Sequence, residues 1–356
     1  MKTITLAAKS GQSRLLINER LENLHKHCDV NKTVVITDKN TADLYGNGFK
    51  NFKTIIISGE EKDKNLETAG TIYKKLLEFS CDRHSFIVGL GGGAVTDMTG
   101  FVASTFLRGV RFGFVPTTLL AQVDAGIGGK NGVNFMGSKN MIGTITQPDF
   151  VIIDANTLKT LSAREFISGI GEIIKYSIIA GEDFFNQLAG NLYLIISEFQ
   201  KKSLSEKTEA ILSYLIEESI KIKVDIVEKD EKETGLRKVL NLGHTLAHAI
   251  ELTEDIPHGE AVIKGIKFAA DFSTREEFLN IEENRKITNM LELTGVSTYL
   301  GIKTKRDKIK EAICHDKKKK QDTIDFVFIR NAGDVFVSNI KLKTIWEVVD
   351  DMCINQ

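Results

Sequence analysis

In the first 155 residues the hydrophobic positions fall in short β-branched runs: TVVITD at 33–38, KTIIISG at 53–59, SFIVGLGG at 85–92, RFGFVPTT at 111–118 and FVIIDA at 150–155. Their unbroken apolar character predicts strands buried on both faces. Between them lie stretches of helical period, LETAGTIYKKLLEF at 66–79 and AVTDMTGFVASTFLRG at 94–109. Strand alternating with helix predicts a parallel, doubly wound α/β sheet. From about Ser162 the pattern changes to long amphipathic runs such as SEKTEAILSYLIEESIKIKVDIVEKDE at 205–231, so the second half is expected to be mainly α-helical. A late alternating segment, DTIDFVFIRNAGDVFV at 322–337, reads as a hairpin turning near Asn331 to Gly333. The expected organisation is an α/β domain over 1–161 and a mainly helical one over 162–356, in keeping with 356 residues at roughly 150 per domain. With three prolines (Pro116, Pro148, Pro257) and no Gly/Ser-rich linker, the two are expected to pack closely.

Charge and cysteine usage remove several classes of function. Forty-seven Lys and Arg against 48 Asp and Glu leave a net charge of -1, which gives no global attraction for nucleic acid or an anionic membrane. The opening MKTITLAAKSGQSRLL lacks a signal-peptide core, and no run of about 18 apolar residues occurs, so neither export nor a membrane span is expected. Cys28, Cys81, Cys314 and Cys353 have no CxxC spacing, which argues against a disulfide framework or thiolate zinc site and for a reducing cytoplasm.

Thirteen of the 29 glycines lie between Gly89 and Gly143. Gly91, Gly92 and Gly93 follow a predicted strand and precede a predicted helix, where free backbone N–H groups can hold a pyrophosphate; a tight turn without a ligand fits as well. Asp38 and Asn40, at the end of another strand, suit either a ribose or a turn. His244, His248 and His258 fall within fifteen residues, and the first two are i,i+4 on a predicted helix. They fit a metal site or a hydrogen-bonded structural pair. Glu172, expected at the start of another helix, offers an oxygen ligand, with Lys175 one turn on; a surface salt bridge is the plainer reading of that pair. His258 is expected in a loop folding back toward the first two histidines. Lys130, Lys139, Asn140, Lys223, Arg237 and Lys317 lie beside these glycine-rich or histidine-bearing segments and suit an anionic small molecule or, singly, a solvated surface.

The blocks GLGGGAVTDMTGFVASTFLRGVRF, VPTTLLAQVDAGIGGKNGVN, KNMIGTITQP, EFISGIGEIIKY, GLRKVLNLGHTLAHAIE, HGEAV and HDKKKK occur in an order that resembles the 3-dehydroquinate synthases, from about Thr37 to Lys319. The resemblance implies an N-terminal Rossmann-like NAD domain, a mainly helical C-terminal domain, an active site in the cleft between them, and a homodimer. The implied reaction converts 3-deoxy-D-arabino-heptulosonate 7-phosphate to 3-dehydroquinate and phosphate. It proceeds by oxidation at C5 with bound NAD, phosphate elimination, return of hydride, ring opening and an intramolecular aldol, with a Lewis-acidic cation at the C4 and C5 oxygens.

Carried over by position, the resemblance implies Glu172, His244 and His258 as ligands of zinc or cobalt. It implies NAD contacts from Asp38, Asn40, Glu61, Lys64, the segment Gly92, Gly93, Ala94, Val95, Thr96 and Asp97, and from Thr117, Thr118, Lys139, Thr157 and Thr160. Substrate contacts would come from Asp124, Lys130, Asn140, Lys175, Lys223, Arg237, Asn241, His248 and Lys317, with Arg108 reaching the partner subunit's phosphate site. The substrate phosphate would serve as the base in elimination. Departures from the family's pattern are Gly126, Asn131, Ser162 and Ala247, none of which removes a ligand or a charge. The competing expectations are another sugar phosphate cyclase of inosose or valiolone type, a metal-dependent polyol dehydrogenase, and a non-catalytic NAD-binding protein.

Overall fold

A computed structural model describes residues 1–254, 256–298, 306–314, 319–320 and 322–354. The chain divides into two compact units, Met1–Leu161 with Lys223–Lys232, and Ser162–Ile222 with Glu233–Gln356.

The first unit carries β1 (Lys2–Ala8), β2 (Gly11–Ile17), β3 (Thr33–Asp38), α1 (Lys39–Tyr45), β4 (Lys53–Ile57), α2 (Leu66–Glu78), β5 (Phe86–Gly91), α3 (Gly93–Thr105), β6 (Arg111–Pro116), β7 (Lys130–Phe135), β8 (Ser138–Ile145) and β9 (Phe150–Ile153). Seven strands form one sheet in the order β1-β2-β9-β6-β5-β3-β4, parallel except for the β1/β2 pair. The runs VVI of β3 and FIVGL of β5 are buried throughout, as strands covered on both faces must be. Phe150 stacks on Phe86 at 5.6 Å in the core, and it fits only because Gly113 has no Cβ, which would lie 2.7 Å from the Phe150 ring. From β3 the chain winds outward to β4, then returns to the other side of β3 for β5. That reversal makes the carboxyl ends of β3 and β5 the topological switch point where open α/β sheets bind ligands.

Three features were not in the sequence pattern. The edge strand β1 has mostly exposed positions, its antiparallel partner β2 buries an apolar run of only three residues (Leu15, Leu16 and Ile17), and the β7/β8 hairpin is polar and glycine-rich, so none shows a long apolar strand run. The helix expected over 94–109 ends at Thr105, because the chain must reverse into β6. Leu107 and Arg108 take positive φ of 50° and 67° in that reversal. Finally, Lys223–Lys232 groups with the first unit although a boundary at 161/162 assigns it to the second. The cause is polar: Ala7 N donates to Glu228 Oε1 at 2.7 Å, and Ser10 and Gln147 both donate to Glu231.

The second unit contains α4 (Ala163–Ala180), α5 (Glu182–Gln200), α6 (Glu206–Lys229) as far as Ile222, α7 (His244–Thr253), α8 (His258–Arg275), α9 (Ile281–Glu292), α10 (Arg306–Cys314), β10 (Lys319–Lys320), β11 (Thr323–Asn331), β12 (Asp334–Lys341) and α11 (Leu342–Ile354). The last three strands form an antiparallel sheet whose Phe326 and Phe328 pack on Phe268 and Phe272 of α8. Ser162, where the family's pattern has proline, caps α4 by accepting from Glu165 N at 3.2 Å. Among the described residues no helix is long and apolar enough to cross a membrane.

Candidate active site

Helices α4, α7 and α8 meet at glycines, and each glycine adjoins a candidate ligand. A Cβ on Gly171, next to Glu172, would lie 2.6 Å from Gly259 O, and Gly259 itself is pressed against the Ser168 carbonyl. On the other contact, Gly243 precedes His244 with φ of 77°, and a Cβ there would lie 2.8 Å from Ile266 N in α8. Backbones this close bring short side chains to one point. Glu172 lies in the middle of α4, not at its start, and His258 is the first residue of α8, not part of a loop, because Pro257 ends the preceding turn and starts the helix.

The three ligand atoms lie within 4.8 Å of one another. His258 Nε2 is 3.1 Å and His244 Nε2 3.5 Å from Glu172 Oε1. Both imidazoles are held from behind: His244 Nδ1 donates to Leu242 O at 3.0 Å and His258 Nδ1 to Glu251 Oε1 at 2.9 Å. Such partners fix each ring so that Nε2 faces the carboxylate, the arrangement found around ligating histidines. Glu172 is fully buried, and its second oxygen is ion-paired with the buried Lys175 Nζ, so this pair is no surface salt bridge. Burial alone would lower the His258 pKa, but the Glu172 and Glu251 carboxylates more than offset it and leave it pushed up to about 10. His248 presents its ring edge-on to His244 at 5.4 Å between centroids.

In the first unit the switch point is built from the Gly91–Gly93 turn. A Cβ on Gly91 would lie 2.8 Å from Val95 Cγ2 and 2.9 Å from Asp38 Oδ2. One on Gly92 would crowd Thr118 at 3.2 Å, and one on Gly93 would crowd Ala125 at 3.3 Å. The turn therefore presents bare backbone at the start of α3. Asp38 reaches it from β3 while capping α1 through Thr41 N at 2.9 Å. Val95 and Thr96 are buried and brace the turn, the Val95 side chain packing against Gly91 and the Thr96 hydroxyl donating to Gly93 O at 3.0 Å. Lys64 is buried, 2.8 Å from Asp97 and 3.1 Å from Glu61. Burial pushes the Asp97 carboxyl up against the pull of Lys64, while the Lys64 ammonium is held up by its two carboxylates against its own burial.

Two family profiles match the chain, one described as 3-dehydroquinate synthase N-terminal over residues 54–168 and one as 3-dehydroquinate synthase C-terminal over 169–319. The chain belongs to the 3-dehydroquinate synthase family. A curated 3-dehydroquinate synthase of Acetivibrio thermocellus is 41% identical over 322 residues, covering 87% of this chain and 86% of that protein. The one from Vesicomyosocius okutanii is 37% identical over 354 residues, covering 96% and 95%. The activity that goes with the family is that of 3-dehydroquinate synthase, a phosphate-eliminating lyase. A solved 2-epi-5-epi-valiolone synthase from Streptomyces hygroscopicus, with NAD+ and Zn2+ bound, is 22% identical and superposes with a TM-score of 0.87 over 98% of this chain and 99% of that one, a likeness of fold.

For a 3-dehydroquinate synthase the remaining candidate positions sort by unit. In the first, Lys223 Nζ contacts Asp124 through Oδ1 at 2.5 Å and the backbone O at 2.7 Å. Lys130, Lys139 and Asn140 ride on the β7/β8 hairpin, which Asn134 pins by donating to Glu61 at 3.0 Å and accepting from Asn140 N at 2.9 Å. Thr117 N donates to Gly91 O at 2.9 Å. Thr157 and Thr160 bind Tyr45, and Gln122 donates to Thr157 at 3.1 Å, so both hydroxyls serve internal bonds. Asn40 and Arg108 are exposed. In the second unit Arg237 is buried and Asn241 donates to Glu233. Lys317 lies outside the described residues. Sequence reasoning passed over Glu251, Asn134, Glu233 and Glu231; the first is four residues from Ala247 in the histidine-bearing block, and the others carry no distinguishing pattern.

Proposed function

We propose that this chain converts 3-deoxy-D-arabino-heptulosonate 7-phosphate to 3-dehydroquinate and phosphate, with the first unit holding NAD and the second a divalent cation, zinc or cobalt. The observation that carries this reading is the fully buried Glu172 facing two imidazoles whose Nδ1 atoms are already engaged. One carboxylate and two nitrogens suit a borderline-soft cation with an open coordination position. The bare backbone at Gly91–Gly93, which a Cβ would fill, suits a pyrophosphate. A cation held by Glu172, His244 and His258 would supply Lewis acidity, and NAD held at the Gly91–Gly93 turn would supply reversible hydride chemistry.

The chain's own groups hold, orient and screen the substrate. Lys175 holds the second oxygen of Glu172 by an ion pair, which orients the carboxylate with Oε1 toward the two imidazoles. Asp124 fixes the Lys223 ammonium, and Asn134 fixes the hairpin that carries Lys130 and Asn140; the two ammonium groups and the Asn140 amide are the partners proposed for carboxylate and phosphate. The substrate phosphate, held close to C6, takes the proton there as it departs, so no dedicated protein base is required. His248 and Asn241 are assigned to the ring oxygens and to proton relay. Arg237, Lys139 and Lys317 complete the basic set. A homodimer in which Arg108 reaches the partner's phosphate site, and a cytoplasmic location, belong to the same reading.

The test is phosphate release from the heptulosonate phosphate with catalytic NAD, with and without a chelator. Turnover that stops on chelation and returns with zinc or cobalt is expected. Turnover of sedoheptulose 7-phosphate or glucose 6-phosphate in its place, or stoichiometric NADH, would overturn it.

A further inference from the structure

The segment that crosses to the first unit ends in a buried carboxylate with no role in the chemistry above. Glu231 is buried just beyond α6, eight residues after Lys223. Ser10 donates to it from both its backbone N, at 3.1 Å, and its hydroxyl, and Gln147 Nε2 donates to it at 3.0 Å. Gln147 in turn lies beneath Gly129, where a Cβ would meet its Nε2 at 2.6 Å and its Cδ at 2.8 Å. The Gly129 carbonyl accepts from Thr146 N and from Asn131 Nδ2, both at 2.9 Å, which sets the direction in which Lys130 leaves the turn. One carboxylate therefore ties together the end of α6, the helix that carries Lys223, and the turn that leads into Lys130 at the start of β7. A second tie, Glu228 to Ala7 N, is exposed and can exchange with water.

We infer that Glu231 is a positioning residue that fixes Lys223 and Lys130 in mutual register for the anionic substrate. This rests on the reading of those lysines as substrate contacts. A buried carboxylate accepting three charge-assisted hydrogen bonds has few alternative geometries, so its loss frees the segment without touching the metal ligands or the glycine turn.

Amine acylation of the full chain followed by mass spectrometry reads lysine accessibility without turnover. In Glu231→Ala, labelling of Lys223 is expected to rise by about fivefold or more, whereas Lys64, buried by its own pair with Asp97, is unchanged. Glu231→Gln, which keeps an acceptor for Ser10, restores most of the protection. In steady state KM for the heptulosonate phosphate rises by about tenfold in Glu231→Ala with a smaller change in kcat, and the effect vanishes in a Lys223→Ala background. Unchanged Lys223 labelling, an equal rise at Lys64, or full additivity with Lys223→Ala overturns the inference. If Glu231→Ala does not fold, Ser10→Ala and Gln147→Ala carry the same labelling comparison. A wild-type chain inactive on the heptulosonate phosphate would instead overturn the functional reading, leaving the labelling result to decide this one.

Discussion

Gly171→Ala sets two opposing effects against each other at the metal centre. In an isolated helix the change favours α4 by about 0.5–1 kcal/mol, because alanine has less backbone freedom to lose. Here the new Cβ would lie 2.6 Å from Gly259 O and 3.2 Å from Gly259 Cα and C, all of them backbone atoms that cannot rotate away. Restoring an ordinary contact pushes α4 and α8 apart by about 0.4–0.8 Å, and overpacking of this kind costs about 1–3 kcal/mol. The net expectation is a loss of about 0.5–2 kcal/mol, or a fall in Tm of about 1–6 °C. Because Glu172 and His258 adjoin the two glycines, the same displacement opens their 3.1 Å approach by more than the roughly 0.2 Å tolerance of a metal site, weakening zinc binding by about tenfold or more. The assay is zinc titration of chelator-stripped chain against a chromogenic competitor, alongside thermal melts. Gly190→Ala in α5 is the control: nothing lies within 4 Å of its added Cβ, so it should gain about 0.5–1 kcal/mol and bind zinc normally. If Gly171→Ala is stabilised like Gly190→Ala and binds zinc within about twofold of wild type, the helix crossing does not set the ligand geometry.

His258→Ala should abolish phosphate release while leaving NAD binding, measured by fluorescence titration, intact; turnover close to wild type would refute the ligand assignment. Lys64→Met leaves Asp97 and Glu61 facing each other without their shared cation, and a loss of about 1–3 kcal/mol is expected in denaturant unfolding. Glu19 gives a pH dependence. Burial pushes its carboxyl up, but hydrogen bonds from Asn23, Arg20 N and His27 more than offset this and hold it below its ordinary 4.5. Its contribution is therefore present above about pH 4.5 and is lost as pH falls through the lower folded value. Glu19→Gln should melt below wild type at pH 7 and converge with it near pH 3; a gap that widens on acidification would contradict the sign.

What could be read from the residue pattern depended on whether a feature is local. The strands at 33–38 and 111–116 and the helix at 66–78 show because a strand buried on both faces is apolar throughout and an amphipathic helix repeats at 3.6 residues. The edge strand KTITLAA and the hairpin KNGVNF/SKNMIGTI do not, since exposed or glycine-rich strands are held by pairing with distant residues. The convergence of Glu172, His244 and His258 was anticipated through a family resemblance that spans most of the chain, whereas spacing alone left His244 and His248 open between metal and structural roles. Glu251 and Glu231 were invisible for a different reason. Their work is to hold other side chains across long sequence separations, and no periodicity records that.

The Glu172–Lys175 pair shows how energetic cost separates a site from a scaffold. With side-chain exposures of 0% and 2%, these charges have lost their hydration, and a buried ion pair of this sort is commonly no more stable than apolar side chains of the same volume. Tyr176 recovers part of the cost, with Lys175 Nζ 4.8 Å from its ring centroid. If the pair serves chemistry and not folding, the double variant Glu172→Met/Lys175→Leu should melt at the wild-type temperature or above, gaining up to about 1–4 kcal/mol, while releasing no phosphate and binding no zinc. Each single variant should be markedly less stable, because it leaves one unpaired charge in the interior. A double variant that melts well below wild type would mean that the pair holds α4 in place, and the case for a site kept at the expense of stability would fail at its central residue.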